Sequence, residues 1–214
     1  MLCGAIGQYH RHLKHLVDIL GLVPGVSAPA ALSALILPKG TYFLCDTYVV
    51  DDPTAEQLAA MTIRAADALR QFGIDPKVAL LSHSNFGSAD APSARKMRQA
   101  LALLRERAPG LVVEGEMHAD GALSEEIRQR IFPNSLLKGT ANLLIMPNLD
   151  AANITFNALT VLADGQPVGP ILLGVAAAAH IVTPSVTVRG LVNMTAVAVC
   201  HAQVLPPTAA AAGG

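Results

Sequence analysis

Lys77-Val78-Ala79-Leu80-Leu81-Ser82-His83-Ser84-Asn85-Phe86-Gly87-Ser88 is the stretch on which the fold is read. Residues 78–81 form a short, unbroken apolar run, the pattern of a strand covered on both faces. Small polar residues and a glycine then make a turn, and residues 93–108 carry apolar positions at helical spacing before a second apolar run at 111–113. Strand, turn, helix and strand in that order make a βαβ unit. The alternation continues with a helix over 124–131, a strand over 141–146, a helix over 151–162 and a strand near 170–173. The fold class is therefore α/β with a mostly parallel sheet.

Upstream of that stretch the pattern changes. Apolar runs at 31–37 and 41–50 flank Pro38-Lys39-Gly40, which predicts an antiparallel hairpin. Asp52 before Pro53 predicts a helix start, and Leu58, Met61, Ala65, Leu69 and Phe72 continue it as one stripe to Gly73. Tyr9, Leu13, Leu16, Val17 and Leu20 place a helix over 8–20, stopped at Gly21. Val188, Leu191, Val192, Thr195, Ala196 and Val199 predict a last helix, apolar on so much of its surface that it reads as buried. Residues 206–214 hold proline, alanine and glycine with no stripe to bury, and read as a disordered tail.

Composition limits the partners. The chain has 214 residues with 15 Lys plus Arg and 16 Asp plus Glu, a formal charge of −1, and no dense basic run of the kind nucleic-acid backbones need. Although 52% of residues are hydrophobic, the longest apolar runs fall far short of the roughly 20 residues that span a bilayer. Cys3, Cys45 and Cys200 are odd in number and widely spaced, which predicts buried free thiols in a reducing cytoplasm and no metal site. The start of the chain lacks the charged and apolar regions of a signal peptide.

Several clusters admit a chemical and a structural reading. The Ser82–Ser88 turn lies where α/β folds place ligands, and its hydroxyls and N–H groups suit a phosphate or a pantetheine amide; such residues also simply make turns. His10, His12 and His15 scatter around a helix without an i, i+4 pair, so they read as solvated or capping residues. Arg11 and Lys14 form a basic flank beside the apolar face. Asp120, Glu125 and Glu126 suit helix N-termini better than acid–base work.

Longer stretches then identify a resemblance. Asp46-Thr47-Tyr48-Val49, the run from Phe72 to Ser88, Asp120-Gly121-Ala122-Leu123, Phe132-Pro133-Asn134-Ser135, Lys138-Gly139-Thr140-Ala141-Asn142, Met146-Pro147-Asn148-Leu149-Asp150-Ala151-Ala152-Asn153 and Gly169-Pro170-Ile171-Leu172-Leu173-Gly174 resemble the phosphate acetyl/butyryl transferases. Ser82 to Gly87, with Thr183-Pro184-Ser185 and Val188-Arg189, is similar in particular to the phosphotransacetylase-like domain that ends bacterial NADP-dependent hybrid malic enzymes. The resemblance implies a three-layer, two-lobed fold like that of the isocitrate and isopropylmalate dehydrogenases. Residues 1–24 and 168–205 would form a truncated first lobe and 25–167 the inserted second lobe, with ligand in the cleft. It further implies a homodimer, no cofactor, acetyl-CoA or a related acyl-CoA as effector, a malic enzyme catalytic part upstream, and a sequence cut from a longer protein.

The resemblance also assigns residues. Active transferases of the family have a Ser-Arg pair and a nearby Asp after the Gly-Pro-Ile-Leu strand, and an Arg on the helix matching 8–20. Here those positions are Thr183, Pro184, Gly190 and Lys14, and Ala177-Ala178 replace a Lys-Pro pair of the malic-enzyme branch. Proline has no donor and glycine no carboxylate, while lysine keeps the charge without the guanidinium fork. The implied ligand contacts are Lys14, Ser82, Ser84, Asn85, Lys138, Asn142, Pro147, Asn148, Asn153, Pro170, Thr183 and Ser185. A regulatory acetyl-CoA-binding domain is thus the first expectation, with an active phosphate acetyltransferase and a purely structural dimerisation module as alternatives.

Overall fold

A computed structural model describes residues 1–204. The expected tail, 206–214, lies outside the described residues. In chain order the elements are β1 (Leu2–Cys3), α1 (Tyr9–Leu20), β2 (Ala30–Leu37), β3 (Gly40–Cys45), α2 (Ala55–Gln71), β4 (Lys77–Leu81), α3 (Pro92–Arg107), β5 (Val112–Met117), α4 (Ala119–Leu123), α5 (Glu125–Ile131), β6 (Leu143–Ile145), α6 (Leu149–Leu162), β7 (Gln166–Leu173), β8 (His180–Ile181) and α7 (Val188–Val204).

Six strands form one sheet in the order β5-β4-β6-β3-β2-β7. The neighbours among β5, β4, β6 and β3 run parallel, and β2–β3 is the antiparallel hairpin that the sequence announced. β2 also pairs antiparallel with β7, a contact between distant segments that no local pattern encodes. α2 and α3 cover one face over a core of Leu58, Met61, Leu69, Met97 and Leu104, while α4 and α6 cover the other with Ala122, Ala152 and Phe156. This is the expected three-layer arrangement. A third cluster packs α1, through Leu16, against Leu172, Ala179 and Ile181, beside the small parallel sheet β1–β8.

Five local features differ from the expectations. α2 starts later than expected, because Thr54 and Gln57 close a reciprocal capping box that satisfies two orphan donors at once; Asp52 instead pairs with Lys96. The strand expected at 111–113 continues to Met117, and α6 begins at Leu149, capped by Asn148. α7 is not buried: only Met194 and Ala198 are covered, and Val188 is 84% and Val192 63% exposed, because the helix packs one stripe against β7 and β1. The cysteines are all free, but only Cys45 is buried, since Cys200 falls on the open side of α7.

Candidate functional site

Three segments meet around a cavity of about 210 Å³: the flank of α6, the middle of β7, and the link from β8 into α7. Phe156, Asn157 and Thr160 come from α6, Gly169 and Pro170 from β7, and Thr183, Ser185, Thr187 and Gly190 from the link and the first turn of α7. Ser33 and Tyr48 complete the wall. Among the described residues, no Lys, Arg, His, Asp or Glu lines it.

The wall is built from below by Asp46. Its buried carboxylate accepts N–H groups from Ala31 (3.1 Å), Tyr48 (2.9 Å), Val49 (3.1 Å) and Val50 (2.9 Å), which folds the chain after β3 into a tight loop and presents Tyr48. Burial pushes the Asp46 carboxyl above the ordinary carboxylate range, against the opposing pull of those four donors. Tyr9 of α1 packs on Tyr48 with ring centroids 5.0 Å apart, and burial raises the phenols of both. A polar chain continues along the wall: the Ser33 and Thr47 hydroxyls share a 2.7 Å hydrogen bond, Asn153 Nδ2 donates to the Thr47 carbonyl at 3.3 Å, and Asn157 Nδ2 donates to Asn153 at 2.9 Å. Across the cavity the hydroxyls of Thr183 and Ser185 bond each other at 3.0 Å, and Thr187 Oγ1 accepts the N–H of Gly190 at 3.0 Å.

The residues singled out in the sequence divide sharply. Pro170, Thr183 and Ser185 line the cavity together with Gly190, and Asn153 stands one hydrogen bond behind it. Pro184 is exposed within the same link. The Ser82–Ser88 turn spends most of its polar side chains on contacts within the protein, although His83 and Ser88 are exposed. Ser82 Oγ accepts the Ser84 N–H, Asn85 Oδ1 accepts the His118 N–H, and fully buried Ser84 donates to Glu116 Oε1 at 2.6 Å. Asn142 bridges the backbone of Lys77 and Asp75, and Asn148, after Pro147, caps α6 by accepting the Ala151 N–H. Lys14 is exposed and pairs with Asp18 at 2.6 Å; Lys138 is exposed on the loop before β6. Asp120, Glu125 and Glu126 make helix-terminal and i,i+4 contacts, and His12 reaches the Ile6 carbonyl.

Glu116 is a member that sequence reasoning missed. Its Oε1 accepts from Ser84, from the Gly87 N–H (2.9 Å) and from Arg98 (2.9 Å). Burial alone would raise its pKa, but these donors outweigh it and hold the carboxyl below its usual value. Gly115 makes this possible. At φ +151° it sits beside a register shift in the β4–β5 ladder, where a Cβ would meet the Leu80 carbonyl oxygen at 2.7 Å. The irregularity re-aims the next side chain into the loop. A Gly between two glutamates in a strand was the available signal.

The family described as Phosphate acetyl/butaryl transferase matches residues 1–199. The NADP-dependent malic enzyme of Escherichia coli is 54% identical over 207 residues, covering 96% of this chain but only 27% of that protein. A phosphate acetyltransferase of Paracoccus denitrificans is 37% identical over 91% of the chain and 63% of its own length. The EutD phosphotransacetylase from Staphylococcus aureus superposes with a TM-score of 0.87 at 25% identity, over 94% of this chain and 62% of that one. The chain belongs to the phosphate acetyl/butaryl transferase family, and it spans about a quarter of the malic enzymes that it resembles.

Proposed function

We propose that this domain binds acetyl-CoA or a related acyl-CoA in the cavity between α6, β7 and α7, and that it regulates a malic enzyme without transferring the acyl group. The observation that carries the reading is the neutral wall. Attack of CoA thiolate on acetyl phosphate builds charge on phosphoryl oxygens, and stabilising it calls for guanidinium forks and a base. Here the positions are Thr183, Pro184 and Gly190, and no cation among the described residues borders the cavity. Hydroxyls, an amide and an aromatic ring suit the amides and thioester of an acylated pantetheine arm instead.

Regulation needs a partner state that the ligand distinguishes, and a coupling of about 1–3 kcal/mol would change malic enzyme activity roughly 5- to 150-fold. A second copy of the domain supplies it: α6 walls the cavity with one flank while exposing Ile154, Val161 and Leu162 on another. A malic enzyme catalytic part joined upstream reads the change, in a cytoplasmic protein. Light scattering should show a dimer that Leu162→Glu dissociates.

Calorimetry on the 214-residue chain tests the ligand. Saturable acetyl-CoA binding is expected, and no heat at millimolar ligand would remove the proposal. CoA and acetyl phosphate should release no phosphate in its presence; steady release would make the domain a transferase.

A further inference from the structure

At the other end of α7 from the cavity, two imidazoles meet. His180 of β8 is fully buried, and its Nδ1 accepts the backbone N–H of Leu172 at 3.1 Å. A backbone N–H can only donate, so Nδ1 carries no proton and neutral His180 holds its proton on Nε2. That Nε2 lies 3.4 Å from Nδ1 of His201, on the last turns of α7, with ring centroids 5.2 Å apart. The contact is therefore Nε2–H of His180 donating to a bare Nδ1 of His201. Adding a proton to His201 turns its Nδ1 into a donor facing a donor, and His180 cannot change tautomer without giving up Leu172.

The surroundings do not rescue the charged form. α2 places Arg64 and Asp67 on the same hollow of about 160 Å³ as His201, but Asp67 already pairs with Arg70 at 2.7 Å. β7 contributes Leu173 there, and the Cys3 thiol of β1 points at the His180 carbonyl at 3.9 Å. Burial, then the neighbouring His201, hold His180 well below the ordinary imidazole range, and burial lowers His201.

We propose that the His180–His201 contact is an acid-released latch that pins α7 to the sheet. Thr187 and Gly190 at the start of that helix line the ligand cavity, so release of the latch frees one of its walls. The latch stands independently of what occupies the cavity. A histidine whose folded pKa is depressed costs stability as pH falls: the docked helix is favoured above about pH 6.5, where a free imidazole is neutral, and progressively less below it.

The test is made on the 214-residue chain. Nitrogen-15 spectra of the histidines at pH 7.5 should show His180 protonated at Nε2 and bare at Nδ1, and the opposite tautomer would overturn the proposal without any variant. Amide exchange across α7, corrected for intrinsic rates, should then lose about tenfold in protection between pH 7.5 and 5.5, while α2 changes little. In His201→Gln the side-chain oxygen accepts from His180 and does not titrate, so protection should change less than threefold. Equal losses in the two proteins, or none in the parent, would sink the latch; should the variant not fold, the tautomer and the parent's exchange decide it.

Discussion

Two polar segments of the molecule, the Ser82–Ser88 turn and the link from Thr183 to Gly190, look alike in composition and do different work. Both follow strands and lead into helices, and both are rich in hydroxyls. The first closes around the buried carboxylate of Glu116, which takes three donors on one oxygen, so its hydroxyls and amides are consumed by the fold. The second has no charge at its centre. Its hydroxyls make only local bonds, Thr183 with Ser185 and Thr187 with the Gly190 N–H, and they face a cavity. A small polar residue becomes structural when a buried charge needs it and stays open to a ligand when none does.

Removing the charge is the strongest way to break the contrast. Glu116→Ala takes the 2.6 Å acceptor from the buried Ser84 hydroxyl, leaving it a 3.4 Å contact with the Ala89 carbonyl, and frees the part-buried Gly87 N–H, while Arg98, a third exposed and paired also with Asp90, can turn to solvent. Loss of about 3 kcal/mol of unfolding free energy in urea is expected. A loss below 1 kcal/mol would mean that the turn holds itself.

The same carboxylate gives a pH signature. Its folded pKa lies below the ordinary 4.5, so its contribution is fully present above that value and is lost as pH falls through the folded pKa. Glu116→Gln keeps an oxygen acceptor without the charge. It should be less stable than the parent by about 1–2 kcal/mol at pH 7, and the gap should narrow as pH falls below about 4.5. A gap that stays constant with pH would show that packing, and not charge, holds the loop.

What the sequence made legible follows the range of the forces involved. Helices with one apolar stripe, the hairpin and the βαβ alternation rest on near neighbours, and each was found. The β2–β7 pairing joins residues such as Leu32 and Ile171, 139 positions apart along the chain, and local pattern is silent on it. Motif matching pointed to Ser82, Ser84, Asn85, Asn142 and Asn148, yet their side chains cap, bridge and brace. It missed Ser33, Asn157 and Thr160 and quoted Tyr48 without giving it a role, and these residues meet across strands and helices far apart in sequence. Asn153 was named, and one helical turn on its hydrogen-bonded neighbour Asn157 carries the cavity wall. The misjudged burial of α7 has the same origin, because helical periodicity reports an apolar face and not what covers it.

Asn157 tests the intermediate case, a cavity residue that the fold also uses. Its amide donates to Asn153, which in turn reaches the Thr47 carbonyl. Asn157→Ala removes an exposed donor, so stability should fall by about 0.5–1 kcal/mol, and acetyl-CoA affinity should fall with it, because Asn153, which holds the Thr47 carbonyl next to Tyr48, loses its partner. Unchanged affinity in calorimetry would detach this polar chain from the site.

The link itself should give the smallest change in stability and the clearest separation of roles. Thr183→Val keeps the shape of the side chain and deletes the hydroxyl that Ser185 bonds; both groups border the cavity and reach solvent, so neither is left desolvated. Unfolding free energy should move by less than about 0.5 kcal/mol. If the hydroxyl binds a ligand amide or thioester, its loss should still weaken acetyl-CoA binding by about 3- to 10-fold, the worth of one neutral hydrogen bond. A stability loss approaching that of Glu116→Ala would make this segment a second brace of the fold, and the two polar regions would then differ in sequence position only.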